Sequence, residues 1–172
     1  MLVDQSAELI DIVEDLLTAA KSDLGKLEVA SVPVDLRAQA AQVLKLMDPA
    51  VPHIDLSGPP VQCIGDPGRV RQVIRNLVTN ALRYGGPRIS IRVGSHASTG
   101  YVTVADNGPG IPELDRDRIF EAYQQAQTTP GVTAALGLGL SISRNLAHLM
   151  RGDLTYLHEN GESLFEFTIP SA

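Results

Sequence analysis

Apolar positions along this chain change their period several times, and each change marks an element. Leu2, Leu9 and Leu16 are seven apart, with Ile12 and Ala19 at the intervening places, while Asp11, Glu14, Asp15 and Lys21 keep the other faces polar. This predicts an amphipathic helix over 1–24 with a narrow seam, suited either to pairing helices or to docking on its own domain. Gly25 and Pro33 end it. Asp35 predicts a cap for a second helix over 36–47, closed by Asp48-Pro49. Short apolar runs at 53–56 and 61–64 flank Ser57-Gly-Pro-Pro60 and read as two strands and a turn. Asp66-Pro67 then opens a helix as an N-cap and a first-turn proline do. That helix carries Val70, Val73, Ile74, Leu77, Val78, Ala81 and Leu82, the strongest helical stripe in the chain.

Alternation takes over at Ile89, Ile91 and Val93, and again over 101–105, with a loop expected at 94–100. A helix over 138–150 follows an irregular stretch. Strands at 153–157 and 163–169 close the chain, joined through Glu159-Asn-Gly161, with Phe165, Phe167 and Ile169 on one face. Several strand pairs have short connections. The expected class is therefore α+β, a two-layer sandwich with a mixed sheet under a helical layer, rather than a parallel doubly wound fold.

Composition narrows the function. The chain has 172 residues, 44% of them apolar, enough for one domain with a short appended element. Twenty acidic residues against 14 Lys and Arg give a net charge of −6 and no basic stripe, which disfavours nucleic acid as a partner. Cys63 is the single cysteine and sits in the apolar run Val61-Gln-Cys-Ile64, so it reads as core packing in a reducing compartment. No stretch reaches the roughly 18 apolar residues of a membrane span, and acids stand where a signal peptide has bases. The segment is expected to make no direct membrane contact and to work in the cytoplasm, with membrane anchorage elsewhere in a longer protein left open.

Four motifs carry candidate chemistry. Asn76 and Asn80 lie four apart on one helix face, off the apolar stripe. An amide oxygen is a hard ligand suited to Mg²⁺; two solvent-facing asparagines are the plain alternative. Arg83, one turn on, can reach a phosphate or simply face solvent. Asp106 ends a strand and enters Asn107-Gly-Pro-Gly110. There a carboxylate can accept from the exocyclic amine of adenine and would repel the guanine carbonyl. Gly108 and Gly110 allow the backbone close to a flat base, although a simple turn has the same composition. Glu121–Leu136 is a polar stretch of sixteen residues containing Pro130-Gly131, with Phe120 and Tyr123 at its base, and reads as a lid. Gly137-Leu138-Gly139-Leu140 runs from it into a helix whose positive end favours phosphate.

As an ordered set these residues resemble the boxes of sensor histidine kinases. Asp66-Pro-x-Arg69 through Gln72-Val-Ile-Arg-Asn-Leu-Val-Thr-Asn-Ala-Leu-Arg-Tyr84 resembles the N box, and Asp106-Asn-Gly-Pro-Gly-Ile-Pro112 the G1 box. Ile119-Phe-Glu-Ala-Tyr123 resembles the F box, and Gly137-Leu-Gly-Leu-Ser141 the G2 box. The resemblance covers about residues 35 to 170. It implies the ATP-binding sandwich shared with gyrase-type ATPases over 31–172, and the end of a dimerisation-domain helix with a linker over 1–30. It implies ATP and Mg²⁺ as cofactors, with Asn80 holding the metal and Asn76 assisting. Asp106 would bind the adenine amine beside Gly108, Gly110 and Ile111, with Tyr84 against the base. Phe120 would foot the lid, and the 137–140 turn, with Arg83, would contact phosphates.

In the gyrase, chaperone and mismatch-repair ATPases, the residue four before the metal asparagine is a water-activating Glu. Asn76 stands there instead, and an amide cannot take a proton from water at neutral pH, so the resemblance implies phosphoryl transfer rather than hydrolysis. The acceptor would be a histidine on a dimerisation domain, with a response regulator downstream and a homodimer in the full-length protein. None of His53, His96, His148 and His158 stands in a suitable helix start. Two departures follow: Ala135 and Leu136 replace the Gly and Ser or Thr usual before the G2 glycines, and Glu121–Leu136 contains no Lys or Arg. Alternative readings are a nucleotide-binding scaffold with weakened catalysis and a serine kinase of the anti-sigma-factor type.

Overall fold

The helical stripe of residues 67–84 is the spine of the domain. The computed structural model describes residues 13, 16–21, 25–121 and 138–172. Their elements are β1 (Val32–Asp35), α1 (Leu36–Leu46), β2 (Asp55–Ser57), β3 (Gln62–Gly65) and α2 (Pro67–Tyr84), followed by β4 (Ile89–His96) and β5 (Thr99–Asp106). A 3₁₀ turn at Glu113–Asp115, α3 (Gly139–Leu149), β6 (Asp153–Glu159) and β7 (Glu162–Pro170) complete them. In α2, Asp66 accepts from the N–H groups of Gly68 and Arg69 at 2.9 and 3.1 Å, and Pro67 takes the first helical position. Val70, Val73, Ile74, Leu77, Val78 and Ala81 are all buried and Leu82 partly so. Full burial of each large aliphatic side chain contributes about 1.5–3 kcal/mol, so this one face ties α2 firmly to the core.

Five strands form the main sheet in the order β2-β4-β5-β7-β6. β2 runs parallel to β4, and the other neighbours are antiparallel. Inward positions alternate: Val102 and Val104 of β5 and Phe165, Phe167 and Ile169 of β7 are buried with the helices in one core. On the opposite face Thr103 donates to Glu166 at 3.3 Å, between half-buried or exposed polar neighbours. This is the mixed-sheet, two-layer sandwich that the alternation predicts. Asn160 and Gly161, both at positive φ, close the β6–β7 hairpin as a two-residue Asn-Gly turn does.

Two expectations need correction. The runs at 53–56 and 61–64 do become β2 and β3, but they do not pair with each other. β3 pairs antiparallel with β1, and β2 lies at the edge of the main sheet. The Gly-Pro-Pro segment between them is a crossover rather than a hairpin turn. Pro33 sits inside β1, where its missing N–H is tolerated because each strand of a two-stranded sheet has a free edge. The loop expected over 94–100 is instead continuous strand around Ala97-Ser98. Gly94 and Gly100 make room rather than turns: a Cβ would come 2.3 Å from Tyr101 Oη at the first and 2.3 Å from Cys63 Sγ at the second.

Cys63 is wholly buried, and burial pushes its thiol above the ordinary range, in keeping with a packing role. Of the N-terminal seam, Leu2, Leu9 and Ile12 lie outside the described residues. Residues 16–21 are helical, with Thr18 buried, Ala19 packed against the core, and Leu16 and Leu17 exposed. Tyr123, Pro130, Ala135, Leu136 and Gly137 also lie outside the described residues.

Candidate nucleotide-binding site

The folded chain brings the middle of α2 against the start of α3. Asn76 donates its amide N–H to Ser143 Oγ at 3.2 Å and to the Gly139 carbonyl at 3.4 Å. Asn80, one turn further, is half-buried, and its amide has no hydrogen-bond partner among the described residues. An available hard oxygen in that position fits a Mg²⁺ ligand. Leu138 is buried and Leu140 half-buried against the core, which leaves Gly139 at the helix mouth. Leu138 in the N-cap place offers no side-chain acceptor, and Ser141 Oγ turns back to donate to the Leu138 carbonyl at 2.8 Å. Among the described residues no side chain caps the first amides of α3, and the positive end of the helix favours an anion there.

Asp106 ends β5 with its side chain buried, 7% exposed, and one carboxylate oxygen accepting from Gly108 N–H at 2.8 Å. The other oxygen can serve a ligand. Beside it, Gly85 caps α2 and presses directly on the carboxylate: a Cβ there would lie 2.6 Å from Asp106 Cγ. A Cβ on Gly108 would in turn come 2.8 Å from Gly85 Cα. Asn107 links the two segments, accepting from Arg88 N–H at 2.8 Å and donating its own N–H to the Arg88 carbonyl at 3.2 Å. Gly110 adopts φ +73°, which a side chain would strain, and Ile111 is half-buried behind it. Tyr84, 49% exposed, and Arg83, also exposed, stand just before Gly85.

Residues 65–172 match the family model described as histidine kinase-, DNA gyrase B- and HSP90-like ATPase. The chain belongs to this family. It is an ATP-binding catalytic domain of the sensor histidine kinase type, and relatives of that type agree with it along nearly its whole length. The signal transduction histidine-protein kinase BarA of Escherichia coli strain K12 is 34% identical over 183 residues, covering 97% of this chain. The chain spans 20% of that relative's length. Among solved structures, Acinetobacter baumannii histidine kinase AdeS superposes with TM-score 0.74 at 28% identity, covering 99% of this chain and 82% of that one. Full-length ShkA, solved in complex with AMPPNP, gives TM-score 0.76 at 30% identity, covering 98% of this chain and 37% of that one.

In this ATP-binding domain Phe120 is tied to the sheet through α3. The guanidinium of Arg144, on α3, lies 4.7 Å over the ring of Phe120, and its Nε donates to Asp153 Oδ1 at 3.0 Å. The same oxygen meets His148 Nε2 at 2.8 Å and accepts from Leu154 N–H at 2.8 Å. Burial alone would raise the Asp153 carboxyl; the hydrogen bonds from Arg144, Leu154 and His148 and the Arg144 charge outweigh it and hold the group below its ordinary value.

The domain thus places Asn76, Asn80, Leu138, Gly139 and Leu140 around one helix junction, and Asp106, Gly108 and Gly110 around one turn at the end of α2. Gly137 lies outside the described residues. Sequence reasoning missed Gly85, Ser143 and Arg144, and named Asn107 without its role. The Gly85-Gly86 pair directly after a helix end was an available signal for the first. The other three act through partners far away in the chain, which no local pattern shows.

Proposed function

We propose that this domain binds ATP with Mg²⁺ and passes the γ-phosphoryl group to a histidine on a dimerisation domain. The observation that carries the reading is Asn76. One turn before Asn80 stands an amide whose N–H groups are directed at Ser143 and Gly139. It is no base for water, so the site favours delivery of phosphate to an outside nucleophile. Asp106 accepts the adenine amine, with Gly108, Gly110 and Ile111 beneath the base and Tyr84 beside it. The amides at the start of α3, together with Gly137 and Arg83, hold phosphate oxygens. Asn80, supported by Asn76, would hold Mg²⁺, which supplies positive charge opposite the phosphates.

In the transfer, a neutral imidazole nitrogen gives its lone pair to the γ-phosphorus and forms the P–N bond. The bond from that phosphorus to the bridging oxygen breaks, and ADP leaves with the electron pair. The second ring nitrogen yields its proton to the acidic residue beside the histidine. The chain contributes positioning and fixed positive dipoles rather than covalent chemistry. Residues 1–30 read as the end of the dimerisation helix and its linker. The exposed Leu16 and Leu17 suit pairing in a full-length homodimer. A response regulator would then receive the phosphate. No helix among the described residues is long and apolar enough to cross a membrane. A site built for ATP, with one buried free cysteine, suits the cytoplasm.

The test supplies this chain with ATP, Mg²⁺ and a dimerisation domain from a related kinase, and follows labelled phosphate. Acid-labile label on that domain, lost with Asp106→Asn, supports the reading. Acid-stable label would point to hydroxyl phosphorylation. ATP binding with no transfer to any acceptor would leave a nucleotide-binding scaffold.

A further inference from the structure

The turn that carries Asp106 is clamped at both ends, and only one clamp belongs to the motifs already discussed. At its start Asn107 is locked to Arg88. At its far end the N–H of Ile111 donates to the phenol oxygen of Tyr156 at 2.8 Å, from β6, two strands away from β5. Arg116 completes the grip: its Nε donates to the Ile111 carbonyl at 3.2 Å, and its guanidinium lies 5.9 Å over the Tyr156 ring. The Tyr156 ring is itself fixed by packing on Phe165, centroid to centroid 4.9 Å.

The phenol oxygen is held from behind. Ser163, 3% exposed and opposite Asp106 in the β5–β7 register, places its Oγ 3.3 Å from Tyr156 Oη and 3.3 Å from His158 Nδ1. The imidazole of His158 also fills the space under Gly110, where a Cβ would come 2.6 Å from Nδ1. An aliphatic side chain at position 156 would pack on Phe165 equally well and leave the Ile111 N–H without its acceptor. A tyrosine there therefore has a specific consequence for the turn.

We propose that Tyr156 is a positioning residue for adenine recognition: its phenol oxygen, oriented by Ser163, fixes the Asp106–Ile111 turn so that the Asp106 carboxylate meets the exocyclic amine in register. This rests on the reading of Asp106 as the adenine ligand. Loss of the phenol oxygen removes one hydrogen bond from the turn and none from the ligand, so ADP binding should weaken by about fivefold, the worth of a single net hydrogen bond. Ser163→Ala should have the same sign and a smaller size.

The experiment titrates ADP, and purine riboside 5′-diphosphate, which lacks the amine, into the intact chain and into Tyr156→Phe with Mg²⁺ present. Thermal melts of both proteins accompany the titrations. The expected result is that ADP weakens about fivefold while the amine-free ligand changes by less than about twofold. Equal weakening of both ligands, or no change in either, overturns the positioning role, since a merely structural tyrosine would not distinguish them. If the intact chain fails to prefer ADP over the amine-free ligand, the reading of Asp106 itself falls, and that outcome is visible before any variant is made.

Discussion

The side-chain amide of Asn76 donates to the hydroxyl of Ser143 across 3.2 Å, joining the middle of α2 to the first turns of α3. Ser143 is fully buried, so this is an interior hydrogen bond between the helix that would hold the metal and the helix that would meet the phosphates. Ser143→Ala leaves the Asn76 N–H with only the longer contact to Gly139. It should lower stability by about 1 kcal/mol, the net worth of one such bond. Nucleotide affinity should fall as well, because the two helices then hold their mutual spacing less firmly. Urea unfolding and an ADP titration on the same variant check both. Full affinity in a destabilised protein would show that the junction serves the fold alone.

Gly85→Ala should be far more damaging than a glycine-to-alanine change at a helix end usually is. The added methyl would sit 2.5 Å from the Ala81 carbonyl oxygen and 2.8 Å from Asp106 Cβ, against backbone and a buried carboxylate that cannot swing away. Relief requires Asp106 or the helix end to move. The expected cost is about 1–3 kcal/mol of stability, typical of overpacking, with ADP affinity reduced more than about tenfold. Gly161→Ala is the control, since nothing lies within 4 Å of a Cβ there and only the strain of φ +78° is added. A nucleotide affinity equally reduced in both variants would refute a local effect at Asp106.

What could be read from the chain divides by range. α2 was legible because its stripe and its Asp66-Pro67 start are local, and β5, β6 and β7 were legible because their alternation is. The pairing of β3 with β1 was not legible, because Pro33 looks like a breaker until its free edge is known. Gly94 and Gly100 looked like a loop because glycine signals a turn locally, whereas the Tyr101 ring that requires the first lies on the paired strand and the Cys63 Sγ that requires the second on β3 of the smaller sheet. The site divides in the same way. Asn76, Asn80, Asp106 and Gly108 announce themselves in short motifs. Tyr156, Ser143 and Arg144 act through partners 45, 67 and 9 residues away and look ordinary in their own strands and helices.

Arg144 couples Phe120 to the sheet, and the coupling is measurable. Its charge pairs with Asp153 while its face covers Phe120, with side-chain exposures of 37% and 42% for Arg144 and Asp153. At such exposure the ion pair alone contributes about 0.2–1 kcal/mol and the ring contact about 0.5–1 kcal/mol. Arg144→Ala should therefore cost about 1 kcal/mol by urea unfolding. A cycle with Phe120→Leu should return a coupling of roughly 0.5 kcal/mol. Arg144→Lys keeps the charge and loses the planar face, so it should recover the Asp153 part only. Additive single effects in the cycle would mean that the ring contact contributes nothing.

Asp66 should make the domain sensitive to acid. Its carboxylate accepts from Gly68 and Arg69 at the start of α2, and its second oxygen accepts from Ala30, just before β1, at 3.0 Å. Burial alone would raise this carboxyl; the N–H groups of Ala30, Arg69 and Gly68 and the Arg69 charge outweigh burial and set it below the ordinary 3.8. A group depressed on folding contributes stability above its unfolded value and loses it as pH falls through the folded one. The loss thus begins near 3.8 and completes below it. Asp66→Asn imitates the protonated state: it can still cap α2 but offers Ala30 no second acceptor. The variant should be less stable than the native chain by about 1 kcal/mol at neutral pH, and the gap should close as pH drops below the ordinary 3.8. Unfolding curves for both proteins across that range measure it. A gap that stays constant with pH would show that the carboxylate charge is not what holds the Ala30 segment to α2, whereas faster exchange of the Ala30 amide in the variant would show directly that this segment has been released.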